Sequence, residues 1–236
     1  MTTPTPLLDF PPKISIELVQ GASGQSAGTD SVAATFAGTP VEGNLLVAAV
    51  LCKRGASPIA SITTPSGWTL AGSVLSVSWS GGGATGAVAI FYKVAGASES
   101  STVTVTVATA SFETNILLAE FSGLTAATID QFASNDETSG TGLIAETGTT
   151  SATMEANELA VALCNIMDDD FDAPATGSWS EGYTQIGAEI NSGSAGSTSA
   201  LAYKILSATG AQNTTCTFTT GGAEERASVI ATFKAA

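Results

Sequence analysis

The chain carries one apolar strand pattern twice. Asn44-Leu-Leu-Val-Ala-Ala-Val-Leu recurs as Asn157-Glu-Leu-Ala-Val-Ala-Leu-Cys, an offset of 113 residues. Three further segments recur in the same order. Gly67-Trp68-Thr69 returns as Gly182-Tyr183-Thr184, Phe91-Tyr92-Lys93-Val94 as Ala202-Tyr203-Lys204-Ile205, and Ala119-Glu120-Phe121 as Ala231-Thr232-Phe233, at offsets of 115, 111 and 112. Four collinear matches at nearly constant spacing predict a duplicated unit, with halves over residues 28–124 and 140–234.

Within each half the periodicity is that of strands. Thr102-Val-Thr-Val-Thr-Val107 alternates, which turns Val103, Val105 and Val107 to one face. Leu75, Val77 and Trp79 likewise oppose Ser76 and Ser78. The runs 90–94 and 116–121 are rich in β-formers and bounded by Gly or Ser. No window of a dozen residues combines helical spacing with capping signals. The expectation is therefore an all-β chain, a jelly-roll-like antiparallel β-sandwich built from two related halves of about five or six strands each.

The segment between the halves, TAATIDQFASNDETS, carries Ile129 and Phe132 and lacks the Pro/Gly-rich character of an open joint. That favours one sandwich over residues 14–236 with a shared core. Two tandem sandwiches remain the alternative. Residues 14–19 alternate as a strand should, through Ile14, Ile16 and Leu18. Ahead of them, Pro4, Pro6, Pro11 and Pro12 make residues 1–13 an extended arm, with Leu7, Leu8 and Phe10 as its apolar docking residues.

Charge limits the partners. Of 236 residues, 7 are Lys or Arg and 21 are Asp or Glu, a formal net charge of −14. Phosphate backbones and anionic lipid surfaces are repelled by such a balance, so neither nucleic acid nor membrane is an expected partner. The longest apolar run, NLLVAAVLC, stops at Lys53, short of the roughly 20 residues of a spanning helix. The opening residues lack a basic segment followed by an apolar one, so synthesis in the cytoplasm without a secretory signal is expected. In that reducing setting Cys52, Cys164 and Cys216 read as small buried hydrophobes. Whether Cys164 and Cys216 pair is left open by the sequence. Histidine is absent, which removes the commonest general base, metal ligand and triad imidazole together.

The remaining motifs are weak. Gly24-Gln-Ser-Ala-Gly28 has nucleophile-elbow spacing without a following helix or a histidine, and reads as a Gly-rich loop. Gly81-Gly-Gly-Ala-Thr-Gly86 matches a dinucleotide fingerprint between two strands, and reads as a hairpin loop. Glycosidases of this fold class place carboxylates on alternate residues of one strand, and no Glu-x-Asp run occurs. No catalytic residue is assigned, and the chain is expected not to be an enzyme. One acidic cluster, Asp168, Asp169, Asp170 and Asp172, has the oxygen chemistry to wrap Ca²⁺, against the plainer reading of a solvated loop. Lys53 and Arg54 occupy the corresponding place in the first half, as a basic loop able to face the acidic loop of a neighbouring copy in a homo-oligomer. Trp79 and Trp179 are the candidates for a glycan-stacking platform, while the repeat-equivalent Trp68 and Tyr183 read as core plugs.

The succession AGTPVEGNLLVAAV, TTPSGWTLA, AIFYKVAGASE, TVTVTV and LLAEFSGL, then GTTSATMEANELAVAL, YTQIG, LAYKI and VIATFK, covers most of the chain. It resembles the concanavalin A-like jelly-roll modules found in virion proteins of tailed phages. The motifs are strand cores and turns, so the resemblance implies architecture and setting and carries over no catalytic or sugar-binding residue. What it implies is a non-enzymatic decoration protein on the capsid, or a tail component, exposed on the virion surface. Its partner would be the major capsid or tail protein, docked through the arm and strand edges. The alternative is a lectin-like module for host glycans.

Overall fold

The computed structural model describes residues 15–55, 60–78, 84–107, 113–124, 128–137, 143–167, 178–191, 196–219 and 225–234, and every regular element among them is a β-strand. The first half of the chain forms β1 (Glu17–Ala27), β2 (Ser31–Thr35), β3 (Leu45–Gly55), β4 (Thr69–Leu70), β5 (Leu75–Ser78), β6 (Ala84–Val94), β7 (Thr102–Thr106) and β8 (Glu113–Ser122). The second forms β9 (Thr128–Glu137), β10 (Ile144–Glu146), β11 (Leu159–Met167), β12 (Thr184–Asn191), β13 (Ser197–Ile205), β14 (Thr215–Thr217) and β15 (Glu225–Lys234).

Two large antiparallel sheets result. One has the order β1-β8-β3-β6-β4, with β5 also on β6; the other has the order β9-β15-β11-β13-β12. In each, the entering strand pairs with the last strand, the last with a long central strand, and that with the next long strand. The sheets pack face to face as a β-sandwich. Tyr92 of β6 meets Phe233 of β15, and Phe121 of β8 meets Tyr203 of β13. At the edge, Gly21 of β1 lies so close to β12 that an added Cβ would stand 2.7 Å from Ile186. Two small sheets, β2-β7 and β10-β14, cover the outer faces, giving four layers.

This layering explains the sequence of β3 and β11. Leu45, Val47, Ala49 and Leu51 point into the central core, where they meet Leu159, Val161 and Leu163 of β11. Leu46, Ala48, Val50 and Cys52 point outward, under Val32 and Ala34 of β2 and Val103 and Val105 of β7. A strand covered on both faces loses its alternation and reads as one apolar run. The outer strands β2 and β7, covered on one face only, keep a strict exposed-buried alternation.

The pairing register refines the repeat. Leu45 lies between Phe121 and Val94, and Leu159 between Phe233 and Ile205. Asn44 therefore corresponds to Glu158, one residue from the match with Asn157, and one residue is enough to exchange the two faces of a strand. The positive φ of Gly43 (85°) and Asn157 (62°) then coincide at the turn before each central strand.

Three sequence expectations change. The joint at 125–139 holds β9, which pairs with β15, and β1 lies ahead of residue 28, so both sheets begin earlier than the halves read from the repeat. Gly24 to Ala27, read as a loop, belong to β1, where the missing Cβ of Gly24 lets the strand lie directly against the Ala33 carbonyl. Ala84, Thr85 and Gly86, also read as loop, begin β6.

Candidate functional site

Lys53 and Arg54 are corrected by the structure. They are the two residues before the last of β3 rather than a loop, 3% and 8% exposed. Lys53 Nζ donates to the Gly196 carbonyl at 3.0 Å, across to the second sheet. Docking to a neighbour through these two residues is closed off in the folded chain. Trp179 is half-buried between two apolar clusters and bridges Cys216, and its Nε1 donates to Gln185 Oε1 at 3.2 Å. It packs at the rim of the second outer core. Leu7, Leu8, Phe10, Trp79, Asp168, Asp169, Asp170 and Asp172 lie outside the described residues.

Around Lys53 the central core turns polar. Glu113, Asn115, Asn165, Ser197 and Ser199 are all at most 3% exposed. Asn115 of β8 donates through Nδ2 to Ser199 Oγ at 3.1 Å and Ser197 Oγ at 3.3 Å on β13. Asn165 donates to the Ala227 carbonyl at 2.7 Å. The Asn115 and Lys53 bonds are directional links between sheets that otherwise meet through nondirectional apolar contact, and they fix the sheets' relative position. The strand ends Gly55, Ala84, Glu113, Met167, Ser197 and Glu225 all gather here.

The opposite end carries two carboxylate-bound turns. In the first, Glu120 of β8 is fully buried, and its Oε1 accepts from Val41 N at 2.8 Å and Asn44 Nδ2 at 2.6 Å. Its Oε2 accepts from Gln20 Nε2, and Gln20 in turn holds Gly38 N at 3.0 Å. In the second, Glu158 Oε1 accepts from Glu155 N at 3.1 Å and Asp130 Oδ2 from Met154 N at 2.8 Å. Burial pushes the Glu158 carboxyl above its ordinary range, and the neighbouring Asp130 adds to the rise. These acids satisfy backbone donors, which is a structural use of charge. Sequence reading missed them because a slipped register hid that the Asn44/Glu120 pair of the first half corresponds to a Glu158/Thr232 pair in the second.

All three cysteines are buried and none forms a disulfide. Burial pushes the Cys164 thiol far up and that of Cys216 to about 12, so neither is a nucleophile at neutral pH. Among the described residues no group of three or more Cys, Asp or Glu is placed to hold a metal ion. No family model, curated protein or solved structure matches the chain.

Proposed function

We propose that the chain is a non-enzymatic structural protein of a phage particle, a decoration protein on the capsid or a component of the tail. The finer architecture we infer is a pair of jelly-roll-like halves, each with one large sheet, four long strands in the first and five in the second, and two short strands covering it. The observation that carries the reading is where the charge goes. Glu120, Asp130, Glu158 and Lys53 are turned onto backbone groups inside the body, where they brace turns and join sheets. That is the economy of a scaffold, and it agrees with the strand motifs that resemble virion modules. In this reading the body is displayed in several copies, and the apolar arm with Leu7, Leu8 and Phe10 engages the shell or tail protein.

Deleting residues 1–13 tests it. The shortened protein should keep its β-sheet circular dichroism and melting temperature and lose co-sedimentation with particles that lack the protein. Undiminished co-sedimentation removes the arm from the account. Saturable binding on a glycan array, with no binding to particles, replaces the structural reading with the lectin-like one.

A further inference from the structure

The turns that lead into β3 and β11 solve the same problem with different chemistry. Val41 N–H is held by Glu120, and the corresponding Glu155 N–H by Glu158. The residue before Val41 is Pro40, which has no N–H to satisfy. The residue before Glu155 is Met154, and its N–H needs an acceptor of its own, which Asp130 supplies from β9. The second turn therefore brings two carboxyl groups together where the first has one carboxylate among the amides of Asn44 and Gln20.

The surroundings do not balance two negative charges. Glu158 is 0% exposed, and its Oε2 has no hydrogen-bond partner. The Asp130 side chain is 1% exposed, with Lys234 Nζ of β15 at 3.7 Å from its Oδ1. From β15 the neutral Thr232 also faces Glu158. On β13, Lys204 shares this side of the sheet, but its ammonium lies 5.7 Å from the ring centroid of Tyr183. Glu155, in the turn itself, is exposed. Among the described residues one cation thus serves two buried acids, and two neighbouring like charges cannot both ionise cheaply.

We propose that Glu158 keeps a proton that it turns toward the Asp130 carboxyl, and that this proton is the catch of a latch holding residues 153–158 against the end of the second large sheet. Losing it sets a second buried negative charge beside Asp130 and loosens the turn. The sign follows from linkage. A carboxyl that holds its proton more tightly when folded contributes stability that is complete below the ordinary glutamate range and is lost as pH rises through its folded value. The Val41 turn has a single carboxyl group, with amide donors on both of its oxygens, and is an internal control within the same molecule.

Amide hydrogen exchange on the intact chain between pH 4 and 8, corrected for the intrinsic pH dependence, reads the latch directly. The opening constants of Met154 and Glu155 should rise about tenfold per pH unit from about pH 4.3 up to the Glu158 midpoint and then level off, while that of Val41 stays flat. Glu158→Gln keeps an acceptor oxygen for Glu155 N–H and supplies an amide, as Asn44 does, so it should abolish the slope with the turn still protected. Should that variant fail to fold, Asp130→Asn removes the other charge and should flatten the slope likewise. The proposal is overturned by equal slopes at Val41 and Glu155, by an unchanged slope in either variant, or by a Glu158 carboxyl whose ¹³C titration falls at or below about pH 4.3.

Discussion

Phe121 and Tyr203 offer the sharpest test of how the two large sheets depend on each other. Their rings meet edge to face across the sandwich, with centroids 5.4 Å apart at 62°, and Tyr92 and Phe233 repeat the contact at 5.1 Å and 62°. Phe121 is fully buried, so Phe121→Ala should cost about 3–5 kcal/mol in lost burial and cavity. Of that, about 0.5–1.5 kcal/mol belongs to the ring pair and should appear as coupling in a double-mutant cycle with Tyr203→Leu. At about 2–4 °C per kcal/mol for a chain of this length, the melting temperature should fall by roughly 6–20 °C. The informative probe is on the other side. Replacing Trp68 and Trp79 by Phe leaves Trp179, in the second half, as the sole indole. If the sheets share one core, Phe121→Ala must shift the Trp179 fluorescence midpoint as far as it shifts the far-ultraviolet circular dichroism midpoint. A Trp179 transition that stays in place while part of the dichroism melts early would refute the reasoning, as would a coupling energy of zero.

Three further outcomes follow from local geometry. Gly72 has φ 73° and an added Cβ would fall within the Phe132 ring, so Gly72→Ala should lose about 2–4 kcal/mol in urea unfolding; Gly28→Ala, at φ 66° with open space around it, should lose only about 1 kcal/mol. Glu120→Ala strands the part-buried donor of Val41 and the buried donor of Asn44, the latter worth about 1–3 kcal/mol, and should destabilise far more than Glu120→Gln, which retains an acceptor oxygen, when both are compared by thermal melts. Cys52, Cys164 and Cys216 should resist a thiol-specific chromogenic reagent at pH 8 while folded and all react in denaturant, with the same melting temperature in the presence and absence of reductant.

What the sequence made legible were the elements whose side chains alone decide their fate. Val103, Val105 and Val107 alternate because β7 is covered on one face, and the runs of β3 and β11 are unbroken because those strands are covered on both. The edges were illegible. In β1, Gly21 and Gly24 lower strand propensity, and they sit there because Ile186 and Ala33 approach too closely for any side chain. β9 sets Asp130, Gln131, Asn135 and Asp136 among Ile129 and Phe132 without a strand's alternation, and the segment reads only as a join between halves until β15 is there to pair with it. Lys53 and Arg54 misled for a related reason: a charge at the end of an apolar run signals solvent unless a second sheet supplies polar partners for it, and only tertiary structure brings Gly196 within reach.

The most direct measurement is the calorimetric trace of the intact protein. A body whose two sheets bury Leu45, Val47, Leu159 and Val161 in one interior should unfold in a single transition, with calorimetric and van't Hoff enthalpies in a ratio of about one. Two resolved heat-absorption peaks, or a ratio near two, would contradict that common interior.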